Sequence, residues 1–132
     1  MLERAAQDDR LDALQRVGER TRGLALLVLF GSRARADATE RSDWDVGFMG
    51  EVDAEQLRVE LTRAVGTDSV DVVDLARAGA LLRFRAARDG RALVEATPGA
   101  FDAFRERAAL FWCDVEPVLR DAYDGVLAGL DR

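Results

Sequence analysis

Leu24 to Phe30 is a run of seven consecutive apolar residues, closed by Gly23 on one side and Gly31 on the other. Seven residues fall far short of the ~20 that a helix needs to span a bilayer. A short, glycine-bounded apolar run of this kind has the signature of a buried strand. The polar stretch Gly31-Ser32-Arg33-Ala34-Arg35 follows without a gap, so the strand ends where groups able to do chemistry begin.

The next informative segment is Asp43-Trp44-Asp45-Val46-Gly47-Phe48. Side chains alternate across a strand, so Asp43, Asp45 and Gly47 share one face while Trp44, Val46 and Phe48 share the other. One face reads as core; the other carries paired carboxylates. Around these two strands the pattern gives an amphipathic helix over 2–20 with Leu11, Leu14 and Val17 on one side. A helix follows Asp53, with Gln56 completing a capping box and Ala54, Leu57, Leu61 and Val65 on one face. Then come a strand over 70–75, a helix near 79–89 and a last strand over 91–96. Thr97 caps and Pro98 opens a long final helix. Its residues Phe101, Phe104, Ala108, Phe111, Val115, Val118 and Ala122 form a narrow apolar stripe, which Pro117 kinks or interrupts.

Alternating strands and helices place the chain in the α/β (α+β) class, as a small mixed sheet flanked by helices with a long C-terminal helix. The expected arrangement packs one sheet face on helices and leaves the other open for substrate. At 132 residues the length matches one domain, 1–132.

Composition removes several kinds of chemistry. The chain has no histidine, and Cys113 is its one cysteine. A Cys/His zinc site, a disulfide framework and a histidine-based triad or general base are therefore excluded within it. Cys113, within a helical pattern, reads as a small packed hydrophobe. A net charge of −6, from 19 basic against 25 acidic residues, lacks the basic excess that drives binding to nucleic acid or anionic membrane. With no secretory h-region after the N-terminal charges, the expected compartment is the cytoplasm.

Carboxylates, hydroxyls, arginines and metal remain. Backbone amides after Gly31, with the Ser32 hydroxyl, suit phosphate oxygens, and Arg33 or Arg35 can add charge-assisted bonds to them. Asp43 and Asp45 stand side by side on one strand face, where mutual repulsion favours a shared cation, and carboxylate oxygens suit Mg²⁺. Two metals on such a pair stabilise both the attacking and the leaving oxygen of an in-line phosphoryl displacement. A two-metal site calls for a third carboxylate, and the following strand offers Asp71 and Asp74. Asp71 is preferred, because an aspartate among Val70, Val72 and Val73 is costly unless its face is open or it binds something.

Gly31-Ser32, ten residues, then Asp43-Trp44-Asp45 resembles the GS-x10-DxD motif of the DNA polymerase beta-like nucleotidyltransferases. GSRARADATERSDWDVGF, VDVVDL, RALVEA and FDAFRERAALFWCDVEP extend the resemblance, over nearly the whole chain, to minimal nucleotidyltransferases of the MNT type. The resemblance implies that Gly31 and Ser32, with Arg33 and Ser42, bind a triphosphate. Asp43 and Asp45 would hold two Mg²⁺ ions, and Asp71 would complete the metal site beside the acceptor. Two residues depart from the pattern: Trp44 stands where a smaller aliphatic is usual, and Gly47 lacks the side chain often found there. Both bear on substrate fit.

Many MNT-type proteins resemble antitoxins that silence a HEPN-domain ribonuclease by adenylylating one of its tyrosines. The resemblance thus implies AMP transfer from ATP to a HEPN-domain toxin, with a hetero-oligomer of the two. Transfer to a small hydroxyl substrate is one alternative, and a catalytically silent antitoxin acting by contact is another.

Overall fold

The computed structural model describes residues 2–35, 42–67 and 69–130, with side chains over 7–117 of that set. Four strands, β1 (Leu24–Phe30), β2 (Trp44–Gly50), β3 (Val70–Asp74) and β4 (Arg91–Glu95), form one sheet in the order β3-β2-β1-β4. β1 is antiparallel to both β2 and β4, and β2 is parallel to β3. The helices are α1 (Leu2–Arg20), α2 (Ser32–Arg35), α3 (Ala54–Val65), α4 (Ala80–Asp89) and α5 (Ala100–Leu130). The order of elements is the one expected, and the sheet is mixed because β2, β3 and β4 run the same way, linked through α3 and α4, while β1 runs against them.

The sheet is covered on both faces. Leu14 and Val17 of α1 and Leu57, Leu61 and Val65 of α3 pack with Leu27, Leu29, Trp44, Val46 and Phe48. On the other side Ala86 and Ala87 of α4 and Phe101, Phe104 and Ala108 of α5 pack with Leu26, Val28, Phe30 and Leu75. This corrects the expectation of an open face. β1 is apolar on both parities and six of its seven residues are buried, so one helical layer alone would leave Leu26, Val28 and Phe30 in water. A cleft remains at the junction of β1 with α2 and near the start of β2.

Asp53 caps α3 as expected, its Oδ1 accepting from the amides of Glu55 at 3.0 Å and Gln56 at 3.1 Å. At the last helix the expectation needs correcting. Thr97 and Pro98 lie in a turn closed by Ala100 N–H to Thr97 O at 3.1 Å. Helix α5 starts at Ala100, and the carboxylate of Glu95 accepts from the Phe101 amide at 2.9 Å. The cap thus comes from the end of β4, a partner six residues away. The helix runs on through Pro117 without interruption.

Of the apolar stripe on α5, Phe101, Phe104 and Ala108 are buried, whereas Phe111 is 37% exposed. Val118 and Ala122 lie outside the described side chains. Cys113 is exposed, contrary to the expectation of packing, because the helix has by then passed the sheet and the packed contact there is Trp112 on Phe84 of α4. No helix among the described residues is long and apolar enough to cross a membrane.

Candidate active site

The parity read from β2 holds: Trp44, Val46 and Phe48 are at most 1% exposed, and Asp45 lies on the opposite face, half-buried, with Asp43 exposed just before it. Strand β3 runs alongside in a register that pairs Asp45 with Asp71 and Val46 with Val72. Asp71 is exposed, which answers the cost of an aspartate among valines. Asp74 has the opposite parity to Asp71 and serves the turn after β3, accepting from the Ala76 amide at 3.0 Å and pairing with Arg77 at 3.7 Å.

Burial raises the Asp45 carboxyl above the usual carboxylate range; Asp71 and then Asp43 add to the rise by like-charge repulsion, and Arg35 opposes it. Asp45 therefore feels the charge of both other aspartates. Among the described residues, however, no three such side chains already converge on one ion-sized point. The donors are all hard oxygens on adjoining strands, and a divalent cation such as Mg²⁺ suits that chemistry.

Gly31 ends β1 directly opposite. Its φ is 75°, a left-handed conformation, and a Cβ placed there would run into the Asp45 carboxylate. No side chain fits between the α2 turn and the aspartate. Ser32 opens α2, a single turn in which the Ala34 and Arg35 amides close on the Gly31 carbonyl at 3.1 and 3.2 Å.

Arg33, expected at the phosphates, is drawn inward instead. It is 6% exposed; its Nε and Nη2 donate to the Ser42 carbonyl at 3.3 and 3.0 Å, and Nη1 to Gln7 at 3.4 Å. Its guanidinium lies 4.3 Å from the centre of the Trp44 ring. Residues two apart on a helical turn, such as 33 and 35, point to different sides, and the buried indole offers Arg33 a π-face. Arg33 thereby ties the start of α2 to Ser42, the residue before Asp43. The large Trp44 accordingly faces the α1/α3 core and not the substrate side. Gly47 is likewise explained by packing, since the Leu75 side chain occupies the space its Cβ would need, with atoms at 2.7 to 2.8 Å.

A cleft of about 480 Å³ opens beside these carboxylates, walled by Phe30, Gly31 and Asp45 on the strand side, Arg35 of α2, and Arg85, Arg88 and Asp89 of α4. The three-residue spacing of Arg85 and Arg88, on a chain with 33% charged residues, does not by itself distinguish a ligand-facing side from a solvated helix face. A second cleft, about 380 Å³ between the end of α1 and the start of α3, contains none of the three aspartates.

Residues 13–98 match the family model described as polymerase beta, nucleotidyltransferase. The protein adenylyltransferase MntA of Aphanizomenon flos-aquae is 26% identical over 83% of this chain and 82% of its own. Similar solved structures include a toxin–antitoxin with AMP-PNP, at TM-score 0.74 and 23% identity over 89% of this chain and 96% of that one. Another is a tri-AMPylated Shewanella oneidensis HEPN toxin in complex with an MNT antitoxin, at TM-score 0.74 and 20% identity over 92% and 98%. The matched segment takes in the sheet, Gly31-Ser32 and all three aspartates, and the chain belongs to the polymerase beta nucleotidyltransferase family.

Proposed function

We propose that residues 1–132 act as one domain, an antitoxin-type protein adenylyltransferase that moves AMP from ATP onto a tyrosine of a cognate HEPN-domain toxin in the cytoplasm. The observation that carries this reading is the lateral pairing of Asp45 with Asp71, beside Asp43 and under a glycine that admits no side chain. Support for the acceptor comes from the MntA relative, named a protein adenylyltransferase, and from the similar complex in which the HEPN toxin is AMPylated.

Asp43, Asp45 and Asp71 would hold Mg²⁺, which supplies charge stabilisation to a phosphoryl group under attack. Gly31 lets backbone come close to the triphosphate, and Ser32 and Ser42 flank it. Arg33 serves it indirectly, by fixing Ser42 to α2. Asp71, the more exposed partner of Asp45, accepts the phenolic proton as the tyrosine oxygen attacks the α-phosphorus. The bond from that phosphorus to the bridging oxygen breaks, and pyrophosphate leaves. No histidine is needed, and none is present.

The test is to incubate the protein with ATP, Mg²⁺ and the product of its neighbouring gene, then weigh that partner by mass spectrometry. Added AMP on a partner tyrosine is the expected result. A partner that is neutralised yet carries no AMP would replace transfer by simple binding.

A further inference from the structure

Helix α4 presents Leu82, Arg85 and Arg88 on one side at three-residue spacing, and that side walls the cleft shared with Asp45. The helix continues to Asp89, whose carboxylate takes Arg88 through Nε at 3.0 Å and Nη2 at 2.9 Å, and Arg35 of α2 at 3.5 Å. Asp89 thus links α2 to α4 across the cleft and holds two arginines at its rim. Arg35 lies near enough to Asp45 to ease its charge.

Arg85 differs from its neighbours. It is exposed and, among the described residues, makes no hydrogen bond, ion pair or ring contact. Packing gives no account of it. Three guanidinium groups against one carboxylate leave this wall with an excess of positive charge, facing Asp45, in a chain whose net charge is −6. A ligand that suits both walls carries metal-binding oxygens at one end and further negative charge at the other. A nucleoside triphosphate has that form, and so does pyrophosphate.

Resting on the transfer reading above, we propose that Arg85, with Arg35 and Arg88 positioned by Asp89, binds the β- and γ-phosphates and so forms the side of the site from which pyrophosphate departs. Guanidinium groups match phosphate oxygens in geometry and stay charged, and charge that builds on the leaving oxygens is where fixed cations help most. Asp89 is a positioning residue here: it keeps Arg35 and Arg88 at the rim through ion pairs that an incoming phosphate can share.

Calorimetric titration of the wild type and of Arg85→Gln with pyrophosphate and with AMP, each in Mg²⁺, tests the assignment without requiring turnover. Arg85→Gln is expected to weaken pyrophosphate by about tenfold or more and AMP by less than about twofold, as loss of one charge-assisted contact implies. Arg85→Lys should recover part of the loss. In steady state the KM for ATP should rise while the KM for the HEPN partner stays fixed. Unchanged pyrophosphate binding in a folded Arg85→Gln protein would overturn the proposal, as would a rise confined to the KM of the partner. Since Arg85 makes no internal contact, circular dichroism should show the variant folded. A wild type that transfers no AMP but keeps an Arg85-dependent preference for pyrophosphate would sink the transfer reading and leave this assignment standing.

Discussion

Arg33 and Trp44 are a matched pair, the guanidinium 4.3 Å from the indole centre and both residues buried. The indole N–H of Trp44 has no hydrogen-bond partner among the described residues, so the ring contributes its bulk and its face. Burial, and after it the charge of Arg10, lowers the pKa of Arg33. Its donors are spent on the Ser42 carbonyl and on Gln7. Arg33→Met should cost about 2–3 kcal/mol in urea unfolding, mostly from stranding the Ser42 carbonyl. A double-mutant cycle with Trp44→Leu should return a coupling of about 1 kcal/mol; additive losses would mean that the stack contributes nothing.

Gly31 and Gly66 form an internal control. Their φ values, 75° and 73°, both lie in the left-handed region, but space around Gly66 is open whereas a Cβ on Gly31 meets Asp45. Alanine at either site should cost about 1–2 kcal/mol from backbone strain. Only Gly31→Ala should also lower AMP transfer, by about tenfold or more, since it displaces a metal-binding carboxylate. Equal activity in the two variants would contradict the close approach.

Gly47→Ala should destabilise by about 1–3 kcal/mol because Leu75 already fills the site. In a Leu75→Ala background the same change should be nearly neutral. A penalty that persists there would point to the backbone and not to the leucine.

The raised pKa of Asp45 sets a pH dependence. Its folded value lies above the unfolded one, so its contribution to stability is present below the ordinary aspartate range of about 3.9 and is lost as pH rises through the folded value. Asp45→Asn should therefore raise the Tm of the metal-free protein at neutral pH, with the gain vanishing in acid and shrinking when Mg²⁺ is added. A gain independent of pH would rule out the charge as its cause.

The double variant Asp43→Asn, Asp45→Asn should remain folded and lose transfer by about a thousandfold, as removal of several kcal/mol of metal-derived stabilisation implies. Labelling of the partner near wild-type rate would remove these residues from the site.

Local pattern carried much of this. The two-residue parity of β2 separated Asp45 from Trp44 correctly, and the apolar run gave β1, because both depend on short-range periodicity. What failed depends on partners distant in sequence. The inward turn of Arg33 needs Trp44 and Ser42 as neighbours. The Glu95 cap on α5 crosses a turn. The arginine wall of α4 reaches Asp45 only through tertiary packing. Trp44 and Gly47 looked like disturbances of the substrate pocket, yet each is answered on the core side by one residue, Arg33 or Leu75.

The alignment of β2 with β3 is held at its two ends by Trp44 N–H to Ser69 O at 2.8 Å and Leu75 N–H to Phe48 O at 2.9 Å. A slip of one residue would set Val70 or Val72 beside Asp45 and turn Asp71 under α1 and α3, where an unpaired carboxylate is costly to desolvate. The aspartate so exposed in the correct alignment thus proofreads it: a residue proposed to complete the site also penalises any slip of its strand by one position.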